Sequence, residues 1–361
     1  MYQTGGFPAY LAFICATMGN SVSSACPAPQ VRPNELNLPS LAIGALAGTD
    51  TLHRTVTNVA SKAEKYTATV QGLAGLDVSV SPSTFTIAPG AAQSYSVSFT
   101  EVTAPFAQYA KGSLTLNGDQ GHVVRIPIVV QPVKLAAPTQ VDSAGAASSL
   151  TYNVKSGFAG TLTTTVLGLQ AADKRDRTVN GDPACGFDTA NPDAAVANGT
   201  ATVDDFTTSA NIGYARFQTF QADVSSTVHD LDMFVYRLNT ATGKYALLAS
   251  SGGPDANEFV ASTSTLLTAE GTKLKVYILG CGVDGNGSFP LYGWFVPKSA
   301  PSNAFTATPA ATQALTVGQT VPLAFSWAGL ASGNRYLDRV TYADGSPAGI
   351  PAATLIQVST R

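Results

Sequence analysis

Two periodicities divide the chain. Over residues 8–18 (PAYLAFICATM), Tyr10, Phe13, Ile14 and Thr17 recur at helical spacing, and Gly19 follows as a stop signal. So short a helix does not hold by itself in water, so it is expected to dock on something. From Leu36 the period changes to two. Tyr66, Ala68 and Val70 share a face, as do Leu76, Val78 and Val80. In SYSVSF, Tyr95, Val97 and Phe99 point one way and Ser94, Ser96 and Ser98 the other. Val124, Ile126, Ile128 and Val130 form another such face, and Pro127 marks that strand as an edge or a bulge. Short alternating strands separated by turns such as Ala88-Pro89-Gly90 describe a β-sandwich.

Residues 133–160 are small and polar and read as a boundary. A second set of strands follows at 215–224, 231–238, 244–250, 274–280 and 291–296. Between the boundary and these strands, 171–205 is rich in Asp, Asn and Gly and reads as a long loop carrying Cys185. The stretch from Pro301 to Trp327 echoes the earlier one from Ser79 to Phe99, with a short strand, a Gly turn and an alternating strand ending in an aromatic. It reads as another sandwich-like unit, which at roughly 60 residues should pack on its neighbour. The expected fold is all-β: tandem antiparallel β-sandwich domains with one short N-terminal helix. The expected divisions are 1–34, 35–135, 136–300 and 301–361.

Composition agrees with that class. Charged residues are only 12% of the chain, and Gly (33) and Pro (21) are frequent, as many short strands and turns require. The net charge of −3 gives no attraction to nucleic acid or to anionic membranes. Lys174, Arg175 and Arg177, with Asp173 and Asp176 among them, read as a solvated loop. The four cysteines lack zinc-ligand spacing. They form two separated pairs, Cys15 with Cys26 and Cys185 with Cys281, and two intradomain disulfides fit an oxidising compartment. Four buried free thiols are the alternative. Residues 1–9 show neither a basic nor a long apolar segment of a signal peptide.

Candidate chemistry is sparse, and no catalytic residue is assigned. There is no Gly-x-Ser-x-Gly elbow, and His53, His122 and His229 read as surface or strand-edge residues. Asp230 and Asp232 lie two apart on a strand and so share a side. With Asp255, Glu258 and the Asp284-Gly285-Asn286-Gly287 turn they make a candidate calcium site, weighed against exposed acids on a wet sheet face. Tyr292, Trp294, Phe295 and Trp327 could form an aromatic platform, or fill cores.

The stretch Glu35 to Pro132 resembles the fibronectin type III-like domain that follows the catalytic domain of many subtilases (peptidase family S8), especially those of the plant type. The likeness is carried by Leu36-Asn37-Leu38-Pro39-Ser40-Leu41-Ala42-Ile43, by HRTVTNV at 53–59, by Tyr66, Ala68 and Val70, and by Val80-Ser81-Pro82, Phe85, Gly90 and SVSF at 96–99. The helix PAYLAFICA is similar to the segment that ends the subtilase catalytic domain, with Ala9 where Asp is common. The second domain looks like the prepeptidase-type C-terminal β-module of secreted bacterial peptidases, through Asp230–Tyr236, Ala249-Ser250-Ser251, Asn257-Glu258 and Val276-Tyr277-Ile278. The subtilase Gly-Thr-Ser-Met-Ala motif is missing. The resemblance therefore implies a non-catalytic accessory region of a secreted serine endopeptidase, in cis with an upstream catalytic domain. Its implied partners are that domain and a protein substrate, in the extracellular space or cell envelope. The competing reading is an independent extracellular module binding protein or polysaccharide.

Overall fold

The computed structural model describes residues 6–18, 26, 32–298, 304–308 and 312–361. It is built almost wholly of strands, joined by glycine-rich turns. Among the described residues, no helix is long and apolar enough to cross a membrane.

The first sandwich spans residues 41–132. Its larger sheet runs in the order Leu41–Leu46, Val123–Pro132, Ala110–Gly118, Glu64–Gly72, Thr84–Ile87. The smaller runs Thr49–Thr57, Ala92–Glu101, Leu76–Ser81. The period of two sets the core: Tyr95, Val97 and Phe99 meet Leu52, Tyr66, Phe85, Leu114 and Ile126 between the sheets. The opposite face is held by paired hydroxyls, Thr49 with Thr100, Thr51 with Ser98 and Thr55 with Ser94. Strand 123–132 lies inside its sheet, but its parallel partner begins at Leu41 opposite Ile128. At Pro127 only Ser113 faces it. The proline therefore sits where the strand is still an edge, as its missing N–H requires.

Before this sandwich, the helix Gly6–Met18 begins two residues earlier than the periodicity predicts. Cys15 is buried and bonded to Cys26. Phe7 and Tyr10 are 76% and 72% exposed, and Phe13 and Ile14 are exposed beside them. The Gly19 stop lies outside the described residues.

The expected divisions at 136–300 and 301–361 are corrected by strand pairing. Residues 135–171 and 304–359 together make one sandwich. Ser148–Ser156 pairs antiparallel with Thr320–Ala328, and Gln140–Ala144 pairs parallel with Ala353–Ser359. One core holds Tyr152, Leu162, Phe325, Trp327, Val340 and Ile356. The C-terminal strands cannot fill two sheets alone, so each sheet is completed by strands from before the insertion.

The inserted unit, 173–297, is a third sandwich of two four-stranded sheets. Four of the strands expected from alternation appear, extended, at Val228–Asn239, Lys244–Gly252, Lys273–Val283 and Asn286–Pro297, while the one expected at 215–224 is shifted to Ile212–Gln218 and gives way to a 3-10 turn at Gln221–Asp223. The expected loop at 171–205 is corrected: Asp173–Asn180 is a strand, Asp193–Ala197 a short helix and Ala201–Thr207 a strand. Only the part around Cys185 is irregular. The basic cluster is a charged sheet edge. Arg175 and Arg177 both bind Asp204, which is 3% exposed, and Arg175 lies over the Phe206 ring at 3.8 Å.

The first sandwich meets the second through small and charged residues. Gly48 has φ 73°, and a Cβ there would lie 2.8 Å from Gly318 Cα. Just after the first sandwich, Lys134 Nζ donates to Asp344 Oδ2 at 2.6 Å, to Ser346 Oγ at 2.9 Å and to the Gly349 carbonyl at 3.2 Å. Those bonds from Lys134 and Ser346 hold Asp344 down to about 2. Its stabilising share is present above the ordinary Asp range and is lost as pH falls through about 2. Lys134→Ala takes the cation from a half-buried carboxylate and leaves it only its bonds from Ser346, and should cost about 1–2 kcal/mol at neutral pH, read by urea unfolding. An unchanged midpoint would mean that the lysine is only a surface decoration.

Candidate functional site

Where the inserted unit leans on the second sandwich, a cleft of about 760 Å³ opens. Its floor is the outer face of the sheet containing Gln140–Ala144, Ala353–Ser359 and Arg335–Ala343. Alternation explains the polarity. Ile356 and Val358 point into the core, so Gln357 and Ser359 point out. The opposite wall is the end of strand Ile212–Gln218, Phe220 and the turn 251–258.

Amides line the base. Gln140 Nε2 donates to Gln357 Oε1 at 3.1 Å, and Gln357 Nε2 donates to Gln218 Oε1 at 3.4 Å. Gln140 also accepts from Arg216 Nη1 at 2.8 Å and donates to Asp142 at 2.8 Å. Gln357 and Gln218 are 4% and 7% exposed. To one side, Asp223 takes Arg335 and Arg361 together, at 2.7 Å each, and the Arg335 guanidinium covers the Phe220 ring at 3.8 Å.

The turn 251–258 makes the other end acidic. Glu258 is buried and accepts from Ser251 Oγ and, at 2.6 Å, from the Gly253 amide. Burial pushes its carboxyl up, and Asp232 and Asp255 add to the rise against those hydrogen bonds. Asp230 is raised by burial and then by Asp232 and Asp255, and Asp232 by burial alone. Among the described residues no lysine, arginine or histidine makes an ion pair with any of these four acids.

The residues singled out from sequence are only partly brought together. Asp230 and Asp232 share strand Val228–Asn239, whose register against Lys273–Val283 shifts on either side of Asp230. Asp230 Oδ1 is buried without a partner. Asp232 Oδ2 lies 3.0 Å from Cys281 Sγ and 3.5 Å from Cys185 Sγ. Both cysteines are in one disulfide, so no proton bridges these contacts and neither sulfur is a thiolate ligand. That trio is the group of three metal-binding residue types whose ligand atoms converge, within 4.8 Å, among the described residues. Asp284 sits in a hairpin turn and meets His229 at 3.1 Å. His53 and His122 face Glu35 and Glu64 at the surface of the first sandwich. Trp294, Tyr292 and Trp327 are buried, and Phe295 packs against the core of the inserted unit. Gln140, Gln218, Phe220 and Gln357 carried no sequence signal, because Gln140 and Gln357 meet through strand pairing across the chain and the inserted unit brings Gln218 and Phe220 to them.

Comparison with known proteins defines the class of the first sandwich. Residues 35–130 match the family model described as Fibronectin type-III domain. Subtilisin-like protease SBT2.5 of Arabidopsis thaliana is 38% identical over 131 residues, covering 34% of this chain and 16% of that protein. Subtilisin-like protease SBT2.3 of the same plant is 36% identical over 132 residues, with the same coverage. Both likenesses fall on the fibronectin type-III region and not on a catalytic domain. The chain thus spans about one sixth of the length of these relatives. Residues 35–130 are a fibronectin type-III-like domain of the kind carried by subtilisin-like proteases. Among solved structures, the secreted serine protease VesC from Vibrio cholerae aligns with TM-score 0.23 and 10% identity, over 72% of this chain and 49% of that one.

Proposed function

We propose that this chain is a non-catalytic accessory region of a secreted subtilisin-like serine endopeptidase. The observation that carries the reading is the subtilase-type fibronectin domain at 35–130, preceded by a helix that turns Phe7, Tyr10, Phe13 and Ile14 outward. Apolar side chains in such a row on a short helix are stabilised only when another surface covers them. A catalytic domain lying before the helix in the same polypeptide is the proposed cover. Through it the fibronectin domain stabilises the peptidase and shapes the approach of protein substrate. The inserted sandwich, of prepeptidase type by its Asp230–Tyr236 strand, extends that surface.

Two measurements test this. The reading frame upstream of the Met1 codon should encode a subtilase catalytic domain, and a stop codon there would overturn the reading. The chain alone should release no peptide from casein. Turnover abolished by a serine-reactive inhibitor would show a nucleophile on this chain and would equally overturn it.

A further inference from the structure

We propose that the cleft between the inserted sandwich and the second sandwich binds an extended, lysine- or arginine-bearing peptide segment. The proposal concerns this chain's own ligand and stands whatever precedes the helix.

Three observations converge on it. First, the cavity of about 760 Å³ is of ligand-binding size, within the roughly 300–1,000 Å³ typical of such sites. Second, its base carries an unused donor. Gln218 lines the cleft and is 93% buried, yet its Nε2 donates to no group among the described residues. Gln218 faces the cleft, so a ligand carbonyl there can accept that N–H. Gln140 and Gln357, hydrogen-bonded beside it, extend the amide surface along the floor. Side-chain amides suit a peptide main chain because they both give and accept hydrogen bonds. Third, the far end is an uncompensated negative field. Asp255 and Glu258 line the cleft, Asp230 and Asp232 stand close enough to act on them, and no cation pairs with any of the four. The cation that lines the cleft, Arg335, is already paired with Asp223. A cationic side chain on the ligand supplies the missing charge.

The chemistry selects a peptide over a sugar. Phe220 is the aromatic ring of the cleft, and the Arg335 guanidinium at 3.8 Å occupies one of its faces. The tryptophans that would otherwise stack on a sugar ring are buried.

The test uses the full chain and fluorescence anisotropy. The probe is a short labelled peptide of alternating lysine and serine, set against its glutamate–serine counterpart. The basic peptide should bind and the acidic one should not, and binding should weaken between ~50 mM and ~300 mM salt. Asp255→Asn combined with Glu258→Gln should lower affinity about tenfold or more. Gln218→Ala, which leaves the charges in place, should lower it about threefold without changing the salt dependence. Asp255 is half-buried in a turn and its side chain bonds only Asn257 among the described residues, so Asp255→Asn alone keeps the fold and carries the test if the buried Glu258 does not tolerate change. Equal binding of both peptides, full binding by the variants, or no binding while calcium alone raises the melting temperature would each overturn the proposal.

Discussion

Asp338→Asn is expected to make the chain more stable above neutral pH and to leave it nearly unchanged in mild acid. Asp338 lies on strand Arg335–Ala343 with Tyr336, Val340 and Tyr342, and alternation turns it with them into the core of the second sandwich. The Leu167 amide donates to its Oδ1 at 3.3 Å, and the amides of Gly168 and Arg339 also bond the carboxyl. Its Oδ2 is buried without a partner. Burial outweighs the three amides and pushes the group up from 3.8 to about 7. The sign follows from linkage. A carboxyl raised in the folded state favours folding while protonated, and that advantage is lost as pH climbs from about 4 to about 7. At about 1.36 kcal/mol per pH unit, the loss is of order 4 kcal/mol. Asparagine keeps an oxygen for the amides and cannot ionise. Urea unfolding followed by tryptophan emission, with Trp327 in the same core, should show the wild-type midpoint falling between pH 4.5 and 8. The variant should hold that share. Parallel pH profiles for the two proteins would mean that the carboxyl stays charged in the core at all these pH values, and the burial argument would fail.

How much of this was legible beforehand depended on how local the deciding physics was. The face of a strand is a local property, so SYSVSF and VVRIPIVV gave the core of the first sandwich residue by residue. The helix and both disulfides were legible for the same reason, through spacing or through two isolated pairs. A strand's partner is not local. Nothing in Ser148–Ser156 says that it pairs with Thr320–Ala328 across an inserted sandwich, so the unit from 301 looked separate. The strand Asp173–Asn180 failed by another route. It is charged because it lies at a sheet edge, and its arginines fold back onto Asp204 instead of presenting an apolar face. Asp230 and Asp232 could be found because they are two apart on a strand, and Asp255 and Glu258 were then legible as acids of nearby loops. The glutamines that make the cleft a site come from three distant places, Gln140 and Gln357 joined by strand pairing and Gln218 supplied by the insertion.

Removing the Cys185–Cys281 bond should destabilise the inserted sandwich more than any single change in its surface. The bond ties the irregular stretch around Cys185 to the strand Lys273–Val283, across a sequence separation of 96. A cross-link over that length restricts the unfolded chain by about 4.7 kcal/mol in the chain-entropy account, against about 3 kcal/mol for the 11-residue separation of Cys15 and Cys26. The folded side contributes little to the difference, because the tethered stretch has other holds. Phe187 stacks on Phe234 with ring centroids 4.0 Å apart, Tyr236 Oη donates to the Thr189 carbonyl at 2.9 Å, and Tyr277 Oη donates to Asp193 at 2.7 Å. The double variant Cys185→Ser, Cys281→Ser should therefore keep its fold, and with it the cleft at the junction. It should melt lower by on the order of 10 °C in calorimetry, with the first sandwich's transition unmoved. The matching Cys15→Ser, Cys26→Ser variant should leave the inserted sandwich's transition where it was. If the two pairs of substitutions had equal effects on that transition, loop length would not be the source of the stability. If the Cys185→Ser, Cys281→Ser protein failed to fold at all, the aromatic and tyrosine contacts would be consequences of the bond and not independent holds.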